Sequence, residues 1–519
     1  MRIALVNPPP SSWDEPEYDL PRFTRLSLAC LAAWLRANGY RDLLLIDAKF
    51  ERLGYAEVRR RLEAFDPDIV GHTAFTNEII QAHNVAMLVR EISRVRGKPI
   101  LNVIGGVHVS AIPADTLREF SHFDIGAVGE GENTLLELVR WHDGRMPGSC
   151  LRDIPGLVFR DPERGDEPIV TAPRQNIRDQ TQLPMPAWDL LPPSPEYLIM
   201  TARGCPFACN FCMNPNGQIV RKRDVAQVIA ELKWVTEERG GEHVVICDEI
   251  MTIDKKRAHQ LLDGMIGLGF GTKYHFKAET HVSCVDEDLM EKLAKAGVTV
   301  LGMGIETGDP ETLRAMGKQT NLDKIRRAVA IARKSGVGVL SFFILGHPNE
   351  TLRSAWNSVR FAVRINPSIP VFGIMVPYPG TAVWKWAKRG EKGYRLKARD
   401  WNDYNKQIGH AVELEHLSRR QLELLQFVGY LCVYVLNGRL RDLMRFLWTY
   451  RGPGIALIRK ILVGKTARQP SKTLRERLEF AALEGVSPPA QERDRVVEPL
   501  RGRAPGALPV AQPVPLAPQ

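Results

Sequence analysis

Three thiols crowd one short stretch: Ala202-Arg203-Gly204-Cys205-Pro206-Phe207-Ala208-Cys209-Asn210-Phe211-Cys212 places Cys205, Cys209 and Cys212 within eight residues. Thiolates are the ligands that iron–sulfur clusters take, and Gly204 and Pro206 allow a loop to wrap around an object. Three ligands rather than four leave one iron without a protein donor. An open position on a metal is what a substrate or cofactor needs, whereas a cluster that only carries electrons is normally closed. The alternatives are a zinc site, which favours paired Cys-x2-4-Cys with a fourth ligand nearby, or three unrelated loop cysteines.

Stepping along the chain, short β-branched runs alternate with helical patterns in the first 140 residues: Ile3–Val6, Leu26–Asn38, Leu43–Ile46, Ala56–Phe65, Ile69–His72, Glu78–Val95, Ile100–Ile104, Pro113–Phe120 and Ile125–Val128. This alternation predicts an α/β domain with a parallel, doubly wound, Rossmann-like sheet over 1–145. Such sheets bind ligands at the carboxyl ends of their strands. The loops there hold Thr73, Thr76, Gly105, Gly106, His108, Gly129 and Glu130. Residues 146–195, rich in Pro, Asp and Arg, are expected to form a connector. A second αβ region over 196–385 has strand candidates at Leu198–Met200, Val244–Cys247, His275–Ala278, Leu301–Ile305, Leu340–Leu345 and Val371–Val376. It predicts a full or partial TIM-type (β/α) barrel with its site at the strand carboxyl ends. A helical region is expected over 386–484, including Ser418–Leu436, Leu440–Tyr450 and Gly454–Val463. The Pro- and Arg-rich stretch 485–519 is expected to be disordered.

With 519 residues, 44% hydrophobic and 25% charged, the chain has the composition of a multidomain globular protein, not of a fibrous one. Eight cysteines, no signal peptide and no run of membrane-spanning length point to a reducing cytoplasm, where thiols stay free for metal. The net charge of +10 is local. Between Arg439 and Arg477 stand eleven Lys/Arg against two Asp/Glu. That balance argues against a nucleic-acid-binding body and leaves the basic helices of 439–477 three readings: a domain cover, peripheral contact with a membrane, or recognition of an acidic or carrier-bound substrate.

The spacing Cys-x3-Cys-x2-Cys after a strand resembles the radical S-adenosylmethionine (SAM) superfamily. The resemblance implies that Cys205, Cys209 and Cys212 hold a [4Fe–4S] cluster whose open iron chelates SAM, with an electron supplied by a donor such as flavodoxin or ferredoxin. Cys247-Asp248-Glu249-Ile250 is similar to the segment that addresses the SAM amino group, and Gly304-Ile305-Glu306-Thr307-Gly308 to the adenosyl-contacting strand end. Glu279, in Glu279-Thr280-His281, would face the ribose. Alone, each of these segments also reads as a solvated carboxylate or a turn. Phe343–Thr351 and Val376–Thr381 resemble late barrel motifs of the cobalamin-containing subgroup. Gly105-Gly106-Val107-His108 and Gly129-Glu130-Gly131-Glu132 resemble its N-terminal cobalamin-binding domain, although a flavodoxin-like domain uses such glycines for turns as well. No Asp-x-His-x-x-Gly is present, so a protein histidine on cobalt is not expected.

The function this implies is methylation of an unactivated carbon of a small-molecule substrate, by way of a 5′-deoxyadenosyl radical and methylcobalamin. The same domains serve cobalamin-dependent cyclases of tetrapyrrole type. A tRNA methylthiotransferase would need further cluster cysteines near the N-terminus, where only Cys30 and Cys150 stand. A non-catalytic cluster-binding protein would not need the SAM-like segments. Cys247, Cys284 and Cys432 read as buried thiols.

Overall fold

Two sheets, one mixed and one wholly parallel, carry the glycine loops and the cysteine loop. The structure is a computed structural model and describes residues 1–10, 21–405, 410–449 and 451. The expected helix at 454–463 and the expected tail at 485–519 lie outside the described residues.

The first sheet holds β1 (Ile3–Asn7), β2 (Leu43–Asp47), β3 (Ile69–Thr73), β4 (Leu101–Gly105), β5 (Ile125–Ala127), β6 (Leu157–Asp161) and β7 (Glu167–Val170), in the order β2-β1-β3-β4-β5-β6-β7. The first five strands are parallel. Every residue of β1 is buried, as an apolar strand covered by helices on both faces must be. The order 2-1-3-4-5 reverses direction between β1 and β3, which puts a ligand crevice outside the carboxyl ends of those strands.

The first sheet is larger than the sequence predicts. The segment 146–195 is not only a connector, because β6 and β7 pair antiparallel onto β5 and extend the sheet by two strands. They form in a Pro-rich stretch because the buried side chains of Leu157, Val158 and Phe159 are apolar and Gly165, with φ +65°, permits the tight return.

The second sheet holds β8 (Glu196–Ile199), then β11 (His243–Ile246), β12 (His275–Thr280), β13 (Val298–Glu306), β14 (Gly338–Leu345) and β15 (Ile369–Ile374), all parallel and in sequential order. Between β8 and β11, the two-residue strands β9 (Ala202–Arg203) and β10 (Arg221–Lys222) pair antiparallel and bracket the cysteine loop. Strands β8 and β15 do not pair with each other, so this is a partial barrel, open on one side. Along β14, Val339, Ser341, Phe343 and Leu345 are buried, while Leu340, Phe342 and Ile344 alternate with them on the inner wall and are only half-buried.

After the barrel come a hairpin, β16 (Tyr394–Leu396) and β17 (Val412–Leu414), not foreseen in a region expected to be helical, and then helices Arg419–Leu436 and Leu440–Thr449. The first of these helices covers the edge strand β15: the Tyr430 hydroxyl accepts from Phe372 N (3.1 Å) and Gln426 donates to Phe372 O (2.6 Å). Unpaired edge groups are thereby satisfied. No described helix is long and apolar enough to cross a membrane. The two sheets share one apolar core, which runs from Ile3 and Leu28 through Trp188 and Tyr197 to Phe276 and Phe343.

Candidate active site

The cysteine loop leaves β9 through Gly204, whose φ is +106° and where any Cβ would collide with the Ile219 carbonyl. Only glycine turns the chain there. The loop is then held at both ends. Cys205 N donates to Gly217 O (3.0 Å), Asn214 Nδ2 donates to Cys205 O (2.8 Å), and Asn210 N donates to Met316 O (3.1 Å). The Phe207 ring stacks on His281 with centroids 4.2 Å apart. Cys205 and Cys209 are half-buried and Cys212 is exposed.

Burial pushes all three thiols up, Cys209 to about 11, while the Lys318 ammonium pulls each of them down. Without a cation these sulfurs would stay protonated, and an iron cluster is the kind of cationic group that makes thiolates of them. The donor set therefore fits a three-thiolate cluster.

Asp248 and Glu249, at the end of β11, have their oxygens turned to the loop and to the strand before it. Asp248 accepts from Thr201 N (2.5 Å) and Ala202 N (3.0 Å). Burial pushes its carboxyl up to about 6, against those hydrogen bonds. Glu249 accepts from Gly204 N (3.1 Å) and Asn216 Nδ2 (2.6 Å). In this geometry both carboxylates position the cysteine loop. Glu279 sits exposed on the inner wall beside Gly302, whose Cβ would lie 3.2 Å from its Cγ.

Glu306 is the most unusual of the expected residues. It ends β13 at φ +67°, just after a bulge in the pairing with β14 between Gly304 and Glu306. A non-glycine residue held there costs about 1–3 kcal/mol and persists only where the surroundings dictate it. Its carboxylate is buried against Lys318, Nζ to Oε1 2.6 Å. A Cβ on Gly304 would lie 2.6 Å from Lys318 Nζ, so the glycine is a cradle over the ion pair. Lys318 carried no recognisable signal in the sequence; only the return of the chain from Glu306 to Lys318 brings the two together.

In the first sheet the expected residues separate into two groups. Gly129 (φ +85°) is exposed, a Cβ there would meet nothing within 4 Å, and Thr73 and Gly105 are half-buried beside the crevice. Gly106 (φ +101°) lets the β4 loop close on the β3 loop, a Cβ there falling 2.7 Å from Ala74 O. Thr76 and His108, by contrast, are enclosed by the fold. Both His108 ring nitrogens lack hydrogen-bond partners, burial drives the imidazole down to about 4, and the Trp401 ring meets it edge-on at 4.7 Å. Trp401 Nε1 donates to Glu119 (2.7 Å) and Asn402 accepts from Gln81 (3.0 Å), so the segment after the barrel folds back over the first domain. Gly129 and the half-buried loop ends fit a bulky cofactor lying over the strand ends.

Glu130 joins the two domains. It pairs with Arg221 (2.6 Å) and Arg203 (3.5 Å), and neighbouring Glu132 pairs with Arg203 (2.6 Å), all with nearly buried side chains. Arg203 and Arg221 are the two ends of the cysteine loop's hairpin, so the glycine loop after β5 and the thiols are mechanically linked. A second meeting point lies at Gly380, where a Cβ would stand 3.4 Å from both Ala111 of the first domain and Met213 beside the cysteine loop. Cys247, Cys284 and Cys432, read as buried thiols, are only partly buried.

Both domains resemble known proteins. Residues 199–362 match the radical SAM superfamily and residues 21–139 match the B12 binding domain. The chain is 31% identical over 445 residues to an uncharacterized methyltransferase from Pyrococcus horikoshii, covering 84% of this chain and 93% of that protein. It is 28% identical over 390 residues to the anaerobic magnesium-protoporphyrin IX monomethyl ester cyclase of Cereibacter sphaeroides, covering 73% of this chain and 62% of that one. Its fold resembles that of the radical SAM methyltransferase TsrM from Kitasatospora setae, solved with cobalamin and a [4Fe–4S] cluster, with a TM-score of 0.64 at 18% identity over 84% of this chain and 89% of that one. This chain thus belongs to the cobalamin-dependent radical SAM methyltransferase family, whose cofactors are a [4Fe–4S] cluster, SAM and cobalamin.

Proposed function

We propose that this protein moves a methyl group from SAM, by way of cobalamin, to an unactivated carbon of a small and largely apolar substrate. The observation that carries the reading is the junction at Gly380, where a residue beside the cysteine loop and the helix after the glycine loop of β4 come together. A transfer that needs both cofactors needs both loops at one cavity.

When bound, the cluster supplies an electron to SAM and the cobalamin supplies a transferable methyl group. The chain's own work is placement. Cys205, Cys209 and Cys212 hold iron. Glu306 and Lys318 present one negative and one positive group at the strand end, a pair suited to an amino acid moiety or a ribose hydroxyl. Glu279 stands on the same wall. Asp248 and Glu249 hold the loop. Gly105 and Gly129 leave room over the first sheet. Leu340, Phe342 and Ile344 line the inner wall with hydrocarbon and exclude water from the reacting carbon.

A second reading, a cyclase acting on a tetrapyrrole, is favoured by the 28% identity to the Cereibacter enzyme. One experiment separates the two. The protein is reconstituted anaerobically with iron, sulfide and hydroxocobalamin, then given SAM labelled in its methyl group, a strong reductant and a panel of candidate substrates. The methyltransferase reading expects bound cobalamin, 5′-deoxyadenosine formation that Cys209→Ala abolishes, and label in the product. A substrate converted without label, with a loss of hydrogen by mass, supports the cyclase. 5′-Deoxyadenosine without bound cobalamin defeats both.

A further inference from the structure

We infer that the outer face of helix Leu440–Thr449 docks this enzyme on an anionic membrane surface, because an exposed apolar stripe there is flanked by arginines and backed by a firmly seated inner face. The inner face fixes the orientation. Leu443 is buried, Phe446 stacks on Tyr430 with centroids 4.5 Å apart, and Arg439 donates to the carbonyls of Pro367 (2.7 Å) and Ser368 (2.6 Å) while pairing with Asp442 (2.8 Å).

What that seating leaves outside is hydrocarbon. Leu440 is 59% exposed, Met444 65% and Trp448 72%, with Leu447 between them, and Leu436 at the end of the preceding helix is 69% exposed. The spacing i, i+4, i+7, i+8 places Leu440, Met444, Leu447 and Trp448 on one stripe. Arg441, Arg445 and Arg451 are exposed beside it, and the Arg451 guanidinium lies 4.8 Å from the Trp448 ring centre. Aliphatic side chains, a tryptophan and flanking arginines are what a helix lying in a lipid headgroup layer carries.

Charge selects the occupant. Nine of the ten excess positive charges fall in 439–477. A second copy of the helix laid on the stripe would bring Arg441 and Arg445 toward the same arginines of its partner. A nucleic acid would answer the charge but leave the aliphatic stripe in water. An anionic lipid surface answers the charge and the hydrocarbon together.

The test is flotation of the full-length, cofactor-loaded protein with vesicles of phosphatidylcholine alone and of equal parts phosphatidylcholine and phosphatidylglycerol. The wild type should float with the anionic vesicles only, and added salt should weaken the binding. The double variant M444D/W448D should bind at least ~10-fold less, with unchanged melting temperature and unchanged iron and cobalamin content. The inference is overturned if the wild type floats with neither vesicle, or if the double variant floats as well as the wild type. It is also overturned if the double variant melts earlier while the wild type does not bind, which would show the stripe covered by the protein itself. A wild-type dimer that the double variant dissolves, without vesicle binding, would assign the face to a second copy.

Discussion

The mouths of the two sheets, one beside the cysteine loop and one between the glycine loops, are built by different means. At the barrel mouth the work falls to charged side chains forced into place: Glu306 sits at φ +67° beyond a bulge and is pinned by Lys318, and Glu249 is tied to the cysteine loop. At the mouth of the first sheet it falls to backbone shape, with Gly129 facing open space and Gly106 letting two loops close together, while the nearby imidazole of His108 is sealed away. A small ligand with an amino acid head is gripped by a few directed groups. A macrocycle is accepted by clearing room for it.

Substitutions at the glycines test that contrast. The largest effect is expected from Gly304→Val, whose side chain would displace the Glu306–Lys318 pair. SAM cleavage should fall by roughly 10³-fold with cobalamin stoichiometry unchanged, measured as 5′-deoxyadenosine against bound corrin. Gly129→Val should do the converse: cobalamin binding weakened by ~10-fold to 100-fold, with most SAM cleavage retained. If Gly129→Val abolishes SAM cleavage and keeps the corrin, the contrast between the mouths is wrong.

The link between the mouths comes next. Arg203→Met leaves Glu132 without its close partner and Glu130 with one fewer, both nearly buried. Stability should drop by about 3–5 kcal/mol, read by urea unfolding, and the two domains should lose their common transition.

The smallest effect concerns pH. Burial pushes the Glu350 carboxyl up to about 7, although Gly346 N and His347 N donate to it. Between its ordinary value near 4.5 and 7 the folded protein holds a proton that the unfolded chain has released, so stability from this group is greatest at low pH and is lost as pH rises through 7. Glu350→Gln should flatten the stability curve between pH 5 and 7 by up to about 3 kcal/mol, checked by urea midpoints across that range.

Much of this was readable in order along the chain. The period of the hydrophobic runs located the parallel strands of both sheets to within a few residues, because strands buried on both faces are apolar throughout. The thiols announced themselves by type and spacing. The rest depends on contacts between residues distant in sequence. Strands β6 and β7 are short and sit among prolines, and they become strands only by pairing with β5. Lys318 is an ordinary lysine until the bulge at Glu306 aims a carboxylate at it. Asp248 and Glu249 look like ligand-binding acids from their place at a strand end, and only the structure shows that their oxygens are occupied by Thr201, Ala202, Gly204 and Asn216. His108 sits in a glycine loop that reads as open, yet it is closed by Trp401, a residue nothing in the local sequence ties to it.

That closure has a consequence in time. The last strand of the first sheet ends at Val170, but the indole that seals His108 leaves the ribosome roughly 230 residues later, about 12–46 s at ordinary elongation rates. Until then His108 lacks the indole that covers it, so the closed form of this loop belongs to the finished chain and not to the first sheet alone.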